Sequence, residues 1–139
     1  MSCPYLALCF LLLYYAVNMH RAGVDIIEIA RVAEAVDMYG ERFLHRVYTD
    51  AELVYCQNRI NQLATRFAAK EAVVKALGPD ISGIGWKDME VVSGEDGAPS
   101  IKLHGKAVER LKELGITDLA VSLSHSKDYA VASVVGGTE

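Results

Sequence analysis

The sequence predicts an α+β fold, an antiparallel sheet covered by helices, and three patterns predict it. LAVSLSH (residues 119–125) alternates apolar and small polar positions, SKD turns, and YAVASVV (129–135) returns, which makes a β-hairpin. The longest helical periodicity runs from about Ile60 to Leu77 and stops at Gly78-Pro79. Strand, helices, hairpin, helix, hairpin is the order along the chain, as in α+β domains.

The elements follow in sequence. Tyr5 to Val17 is a run of 13 apolar residues. As a helix it covers roughly 20 Å, against about 30 Å of bilayer hydrocarbon. No positive charge precedes it and no small-x-small cleavage site follows, so it is a poor secretory signal. Ala22 to Ile29 (AGVDIIEI) is rich in β-branched residues and predicts a strand interrupted by Asp25. From about Glu28, the spacing of Ile29, Val32, Val36 and Tyr39 predicts a helix that ends at Gly40. Thr49-Asp50-Ala51-Glu52 is a capping box that starts a short helix through about Cys56. After the long helix, Lys87 to Val92 and Ser100 to His104 predict a strand pair around the turn GEDGAP. Val108, Leu111 and Leu114 then place a helix over Gly105–Leu114.

Composition narrows the class. A chain of 139 residues without repeats or linkers is one domain. The first 18 residues supply 15 of the apolar residues, and the rest has an ordinary apolar share. A net charge of −4 argues against general nucleic-acid binding. Cys3, Cys9 and Cys56 are odd in number and lack CxxC spacing, which suits reduced cysteines of a cytoplasmic protein.

Three stretches carry potential chemistry, each beside a plainer explanation. In ATRFAAKEAVVKALG, Ala68, Glu71, Ala72 and Lys75 share one helical stripe, and the low alanines leave room for something bulky beside Glu71 and Lys75. The plainer explanation is a solvated Glu–Lys pair, worth about 0.3–0.5 kcal/mol. Asp25 stands between apolar neighbours, so its carboxylate needs a hydrogen-bond donor or a cation. It either caps the following helix or joins Glu71 in supplying oxygens to Mg²⁺, with phosphate and water completing the shell. Arg66, Lys70 and Lys75 would neutralise phosphate if they face one cleft. Ser124-His125-Ser126 is either a solvated turn or a set of phosphate donors. No GxSxG elbow, Walker or Rossmann glycine pattern is present, and His20, His45, His104 and His125 are too scattered for zinc.

GVDIIEIARV, FLHRVYTDAEL, RFAAKEAVVKALG and LSHSKDYAVASVV stand in the order and rough spacing of one family. From about Gly23 to Val135 the chain resembles the holo-[acyl-carrier-protein] synthases, small bacterial 4′-phosphopantetheinyl transferases. The resemblance implies the 4′-phosphopantetheinyl transferase fold, a long helix packed on an antiparallel sheet, assembled as a homotrimer with active sites at subunit interfaces. It implies Mg²⁺-dependent transfer of 4′-phosphopantetheine from coenzyme A to a serine of apo acyl carrier protein, releasing 3′,5′-ADP. Matched residue by residue, Asp25 and Glu71 are the Mg²⁺ ligands, with Glu71 the route for the serine proton and Lys75 the third catalytic group. Arg66, Lys75 and His125 match positions contacting coenzyme A phosphates, with Ser124 and Ser126 nearby. The loop GPDISGIGW (78–86) is longer than the family's LGTGI-like form.

Carrier proteins are acidic, so a transferase of net charge −4 needs a local basic face. Arg31, Arg42, His45 and Arg46 offer one, with Phe43 as an apolar contact, and family match selects Arg31, Arg42, Phe43 and Arg46 for docking. The plainer explanation is a solvated helix face. A non-catalytic module binding coenzyme A or carrier protein, and a small membrane-anchored protein, are the competing functions. The carboxylate pair speaks against the first, since binding alone needs no metal. Met19 stands four residues before Gly23, where such chains begin. Residues 1–18 are therefore expected to be an upstream apolar extension, disordered or a loose helix, and 19–139 the transferase domain.

Overall fold

In the computed structural model, which describes residues 20–138, β1 (His20–Glu28) leads into three short helices. These are α1 (Ile29–Tyr39), α2 (Glu41–Val47) and α3 (Asp50–Cys56), and the long α4 (Ile60–Leu77) follows. A 3₁₀ turn at Trp86–Asp88 opens β2 (Met89–Ser93), which pairs antiparallel with β3 (Pro99–Leu103). α5 (Lys106–Glu113), β4 (Asp118–His125) and β5 (Tyr129–Gly137) complete the order. The expectations for residues 1–18 fall outside the described residues.

β5 lies between β1 and β4 in an antiparallel three-stranded sheet. Its register aligns Asp25 with Ala132 and Leu123, and Ile27 with Ala130 and His125. Strand alternation sends Gly23, Asp25 and Ile27 toward α4 and leaves Val24 and Ile26 on the opposite face. α4 packs across the inner face through Ala68, Ala72 and Ala76, all fully or almost fully buried. The contact is close at Gly23, where an added Cβ would collide with the Ala72 carbonyl. The alanine stripe therefore meets the sheet rather than a ligand. Helical spacing specified its face but not what covers it.

Polar groups fasten this layer to the rest. Arg21 Nε donates to the Ala76 carbonyl at 2.8 Å and Arg110 Nε to Leu77 at 3.0 Å, taking carbonyls that the end of α4 leaves open. The capping box forms as its sequence predicts: Thr49 Oγ1 accepts from the Glu52 N–H, and Glu52 Oε1 accepts from the Thr49 N–H. Glu52 does more than cap. It is buried, its Oε1 lies 2.8 Å from Lys70 Nζ, and its Oε2 accepts from the Val91 N–H at 3.2 Å. Lys70 Nζ also donates to the carbonyls of Met89 (2.7 Å) and Trp86 (3.0 Å). Burial pushes the Lys70 pKa down, and Glu52 opposes that shift. Lys70 thus ties α3, α4 and β2 together and is unavailable to phosphate.

Several boundaries shift by one or two residues, and one helix was not expected. Lys87 and Asp88 belong to the 3₁₀ turn, where Asp88 Oδ2 accepts from the Gly85 N–H at 2.8 Å, so β2 starts at Met89. α2 had no clear signal, because seven residues give only two turns of periodicity. Its buried Leu44 and Val47 join Tyr48, Cys56 and Leu63 in a second core under the short helices.

Candidate active site

β1 and α4 bring Asp25, Glu71 and Lys75 together. Lys75 Nζ lies 3.1 Å from Asp25 Oδ1 and donates to the Val24 carbonyl at 3.0 Å. Asp25 does not cap α1, whose N-terminus has no side-chain cap. Glu71, half-buried one turn before Lys75, has its pKa raised by burial and then by the negative charge of Asp25, while Lys75 acts to lower it. The two carboxylates therefore repel each other across the strand–helix junction, with one ammonium set against that repulsion.

This donor set fits a hard divalent cation. Mg²⁺ typically takes one or two carboxylates and fills its octahedron with phosphate oxygens and water. The described residues contain no group of three or more His, Cys, Asp or Glu side chains that could hold a metal alone. Asp25 and Glu71 would supply protein oxygens, and their mutual repulsion would be relieved by the ion.

A second cluster lies along the free edge of β4. Arg66 of α4 and Ser122, Ser124 and His125 of β4 line a cleft of about 340 Å³, together with Tyr55 and Gln62. Arg66 is only 3% exposed. Its Nη1 donates to Gln62 Oε1 at 2.8 Å and its Nη2 to Ser93 Oγ at 2.9 Å. The Tyr55 phenol has its pKa lowered, chiefly by a hydrogen bond with Ser93. Ser126 closes the β4–β5 turn instead, where its hydroxyl accepts from the Tyr129 N–H at 3.3 Å. Asp25 and Leu123 share a sheet row two strands apart, which puts the carboxylate pair roughly 10 Å from β4. One protomer thus holds Asp25, Glu71 and Lys75 in one place, and Arg66, Ser124 and His125 in another.

The third cluster is a groove of about 570 Å³ lined by Arg42, Phe43 and Arg46 of α2 with Tyr39, Phe67 and Trp86. Phe67 stacks on Trp86 with ring centroids 5.1 Å apart, and Phe43 lies 6.4 Å from Phe67. Arg31, on α1, is exposed and does not line the groove. His45 is paired with Glu41 at 2.8 Å. Sequence reasoning gave no functional role to Tyr39, Phe67, Trp86, Tyr55 or Gln62. The signal for Phe67 was its place beside Arg66 and for Tyr39 its place just before Arg42 and Phe43, whereas Trp86 comes from a remote segment that only folding joins.

The family profile described as the 4′-phosphopantetheinyl transferase superfamily matches residues 21–134. A holo-[acyl-carrier-protein] synthase of Herpetosiphon aurantiacus is 49% identical over 121 residues, covering 82% of this chain and 95% of the relative. Another, from Gloeobacter violaceus, is 47% identical over 120 residues, covering 84% of this chain and 91% of the relative. The crystal structure of the Helicobacter pylori holo-[acyl-carrier-protein] synthase in complex with coenzyme A superposes with a TM-score of 0.75 at 33% identity. That match covers 83% of this chain and 98% of the other. A strand-borne Asp facing a helical Glu–Lys pair, the anion-ready edge cleft and these likenesses agree: the chain belongs to the 4′-phosphopantetheinyl transferase superfamily.

Proposed function

We propose that this chain transfers the 4′-phosphopantetheine group of coenzyme A to a serine of an apo acyl carrier protein, with Mg²⁺, releasing 3′,5′-ADP. The observation that carries this is the convergence of Asp25, Glu71 and Lys75 at the β1–α4 junction. The serine Oγ forms a bond to the β-phosphorus as the bond from that phosphorus to the oxygen bridging the two phosphates breaks. Glu71 takes the serine proton directly or through one water. Asp25, held by Lys75, would hold the metal together with Glu71, and Lys75 offsets charge on the leaving phosphate. Bound Mg²⁺ supplies charge neutralisation to the pyrophosphate oxygens. Arg66, Ser124 and His125 hold a coenzyme A phosphate remote from the reacting one, with Ser126 bracing their turn.

Two surfaces support the partners. The groove at Phe43, Phe67 and Trp86, flanked by Arg42 and Arg46, suits a carrier helix with an apolar side chain among acidic ones. Arg31 extends the positive field from α1. The outer sheet face exposes Val24 (60%), Ile26 (62%) and Val135, an apolar surface that suits association into a homotrimer. Assembly of that kind would let one protomer's carboxylates meet a neighbour's Arg66 cleft. Among the described residues no helix is long and apolar enough to cross a membrane. A cytoplasmic enzyme is the setting we infer, consistent with the free, buried Cys56.

The test is direct. Incubation with apo carrier protein, coenzyme A and Mg²⁺ should add one phosphopantetheine to the carrier, read by mass spectrometry. Asp25→Ala and Glu71→Ala should each lower turnover at least about 100-fold while keeping the fold by circular dichroism. A folded wild type that transfers nothing to any of several carriers would sink the proposal.

A further inference from the structure

The way Arg66 is held goes beyond what phosphate binding alone requires. Its guanidinium is buried, yet none of the ion pairs among the described residues includes it. Gln62 Oε1 and Ser93 Oγ, both neutral, take its Nη groups, and Nε is buried without a partner. Nη1 has two longer contacts, with Thr65 Oγ1 at 3.4 Å and the Gln62 carbonyl at 3.5 Å, and the guanidinium carbon lies 4.2 Å from the Tyr55 ring centroid. A π-face attracts a cation without occupying its in-plane N–H donors and without cancelling its charge. A carboxylate at that place would do both.

Tyr55 is 40% exposed, but the backbone that carries it is braced. α3 ends at Cys56, and Gln57 and Asn58 both take left-handed backbone angles, with φ of 48° and 59°. Neither is glycine, so this reversal is locally costly and needs support. Arg59 gives it, donating from Nη2 to the Tyr55 carbonyl at 2.7 Å and from Nε to the Cys56 carbonyl at 2.9 Å. The Arg59 guanidinium carbon also lies 5.5 Å from the Tyr55 ring centroid. Ser93 completes the frame by accepting from Arg66 Nη2 at 2.9 Å.

We propose that Tyr55 is a positioning residue for the coenzyme A phosphate bound in the β4-edge cleft. Its ring, beside the Ser93 hydroxyl, fixes the Arg66 guanidinium toward the cleft with its charge uncompensated. The phosphate then meets a cation already oriented and already stripped of water. This rests on the transferase proposal above and adds to it a residue that acts through Arg66 rather than on the reacting atoms.

Steady-state transfer with saturating apo carrier separates binding from chemistry. Tyr55→Leu should raise KM for coenzyme A roughly 10-fold with kcat within about twofold, since a desolvated cation–π contact is worth an effect of that order. Tyr55→Phe keeps the ring and should raise KM no more than about threefold, with Ser93→Ala similar. Calorimetric titration of each variant with coenzyme A should reproduce the order. Thermal unfolding close to wild type would show that the fold is intact; if Tyr55→Leu does not fold, Tyr55→Phe and Ser93→Ala still report. An unchanged KM in Tyr55→Leu, or a loss confined to kcat, overturns the inference. So do wild-type KM values in both Tyr55→Phe and Ser93→Ala. A wild type that transfers phosphopantetheine beside an unaffected Tyr55→Leu defeats this inference alone, whereas a wild type that neither binds coenzyme A nor transfers defeats the transferase proposal too.

Discussion

At the residue scale, Glu71 carries the most chemical consequence. Burial and the neighbouring Asp25 raise its pKa above the ordinary value, so the folded protein holds this proton more tightly than the unfolded chain. Its contribution to stability is therefore fully present below the unfolded-state pKa and is lost as pH rises through the folded one. A bound divalent cation should reverse that sign by favouring the charged form. Carboxyl-carbon NMR should find Glu71 titrating above 4.5 in the metal-free protein, moving down in Asp25→Asn and down again in wild type with Mg²⁺. Asp25, Glu71 and Lys75 were legible in the sequence because each is a charge in an apolar or small-residue setting. Tyr55 was not legible, since an aromatic near the end of a short helix looks like any other until Arg66 is seen against it.

At the element scale, α4 shows what a helical period can and cannot reveal. Ile60–Leu77 matches its sequence limits because apolar spacing and Gly78-Pro79 are local signals. The roles of its lysines are not local. Lys70 and Lys75 are five residues apart, yet Lys70 is buried against Glu52 while Lys75 reaches Asp25. Nothing within α4 states that Glu52, 18 residues upstream, will arrive beside Lys70. Lys70→Ala leaves the Glu52 carboxylate buried without its cation and should lower stability by about 3–5 kcal/mol in urea unfolding. Replacing both, as Lys70→Met with Glu52→Leu, should recover part of that loss, although the capping bond to Thr49 goes with Glu52.

At the scale of the whole molecule, the sheet has one face under α4 and one face that is bare among the described residues. The alternation in β1 and in the β4–β5 hairpin was readable from sequence, but a period of two does not say which faces are covered within a chain and which between chains. Ile26→Asp places a charge on the bare face without touching α4. Under the proposed trimer, sedimentation velocity should show wild type as trimer and this variant as monomer, and transfer should fall with assembly. The close approach of Gly23 to Ala72 has a related reach. Asp25 and Glu71 belong to different layers, so the thickness of packing between strand and helix is also the gap of a calliper whose jaws are the two carboxylates. Small residues two places before Asp25 and one place after Glu71 set that gap. A single methyl group at position 23 would spread the jaws, so the fitness of the site for the proposed Mg²⁺ is written partly in residues that bear no charge at all.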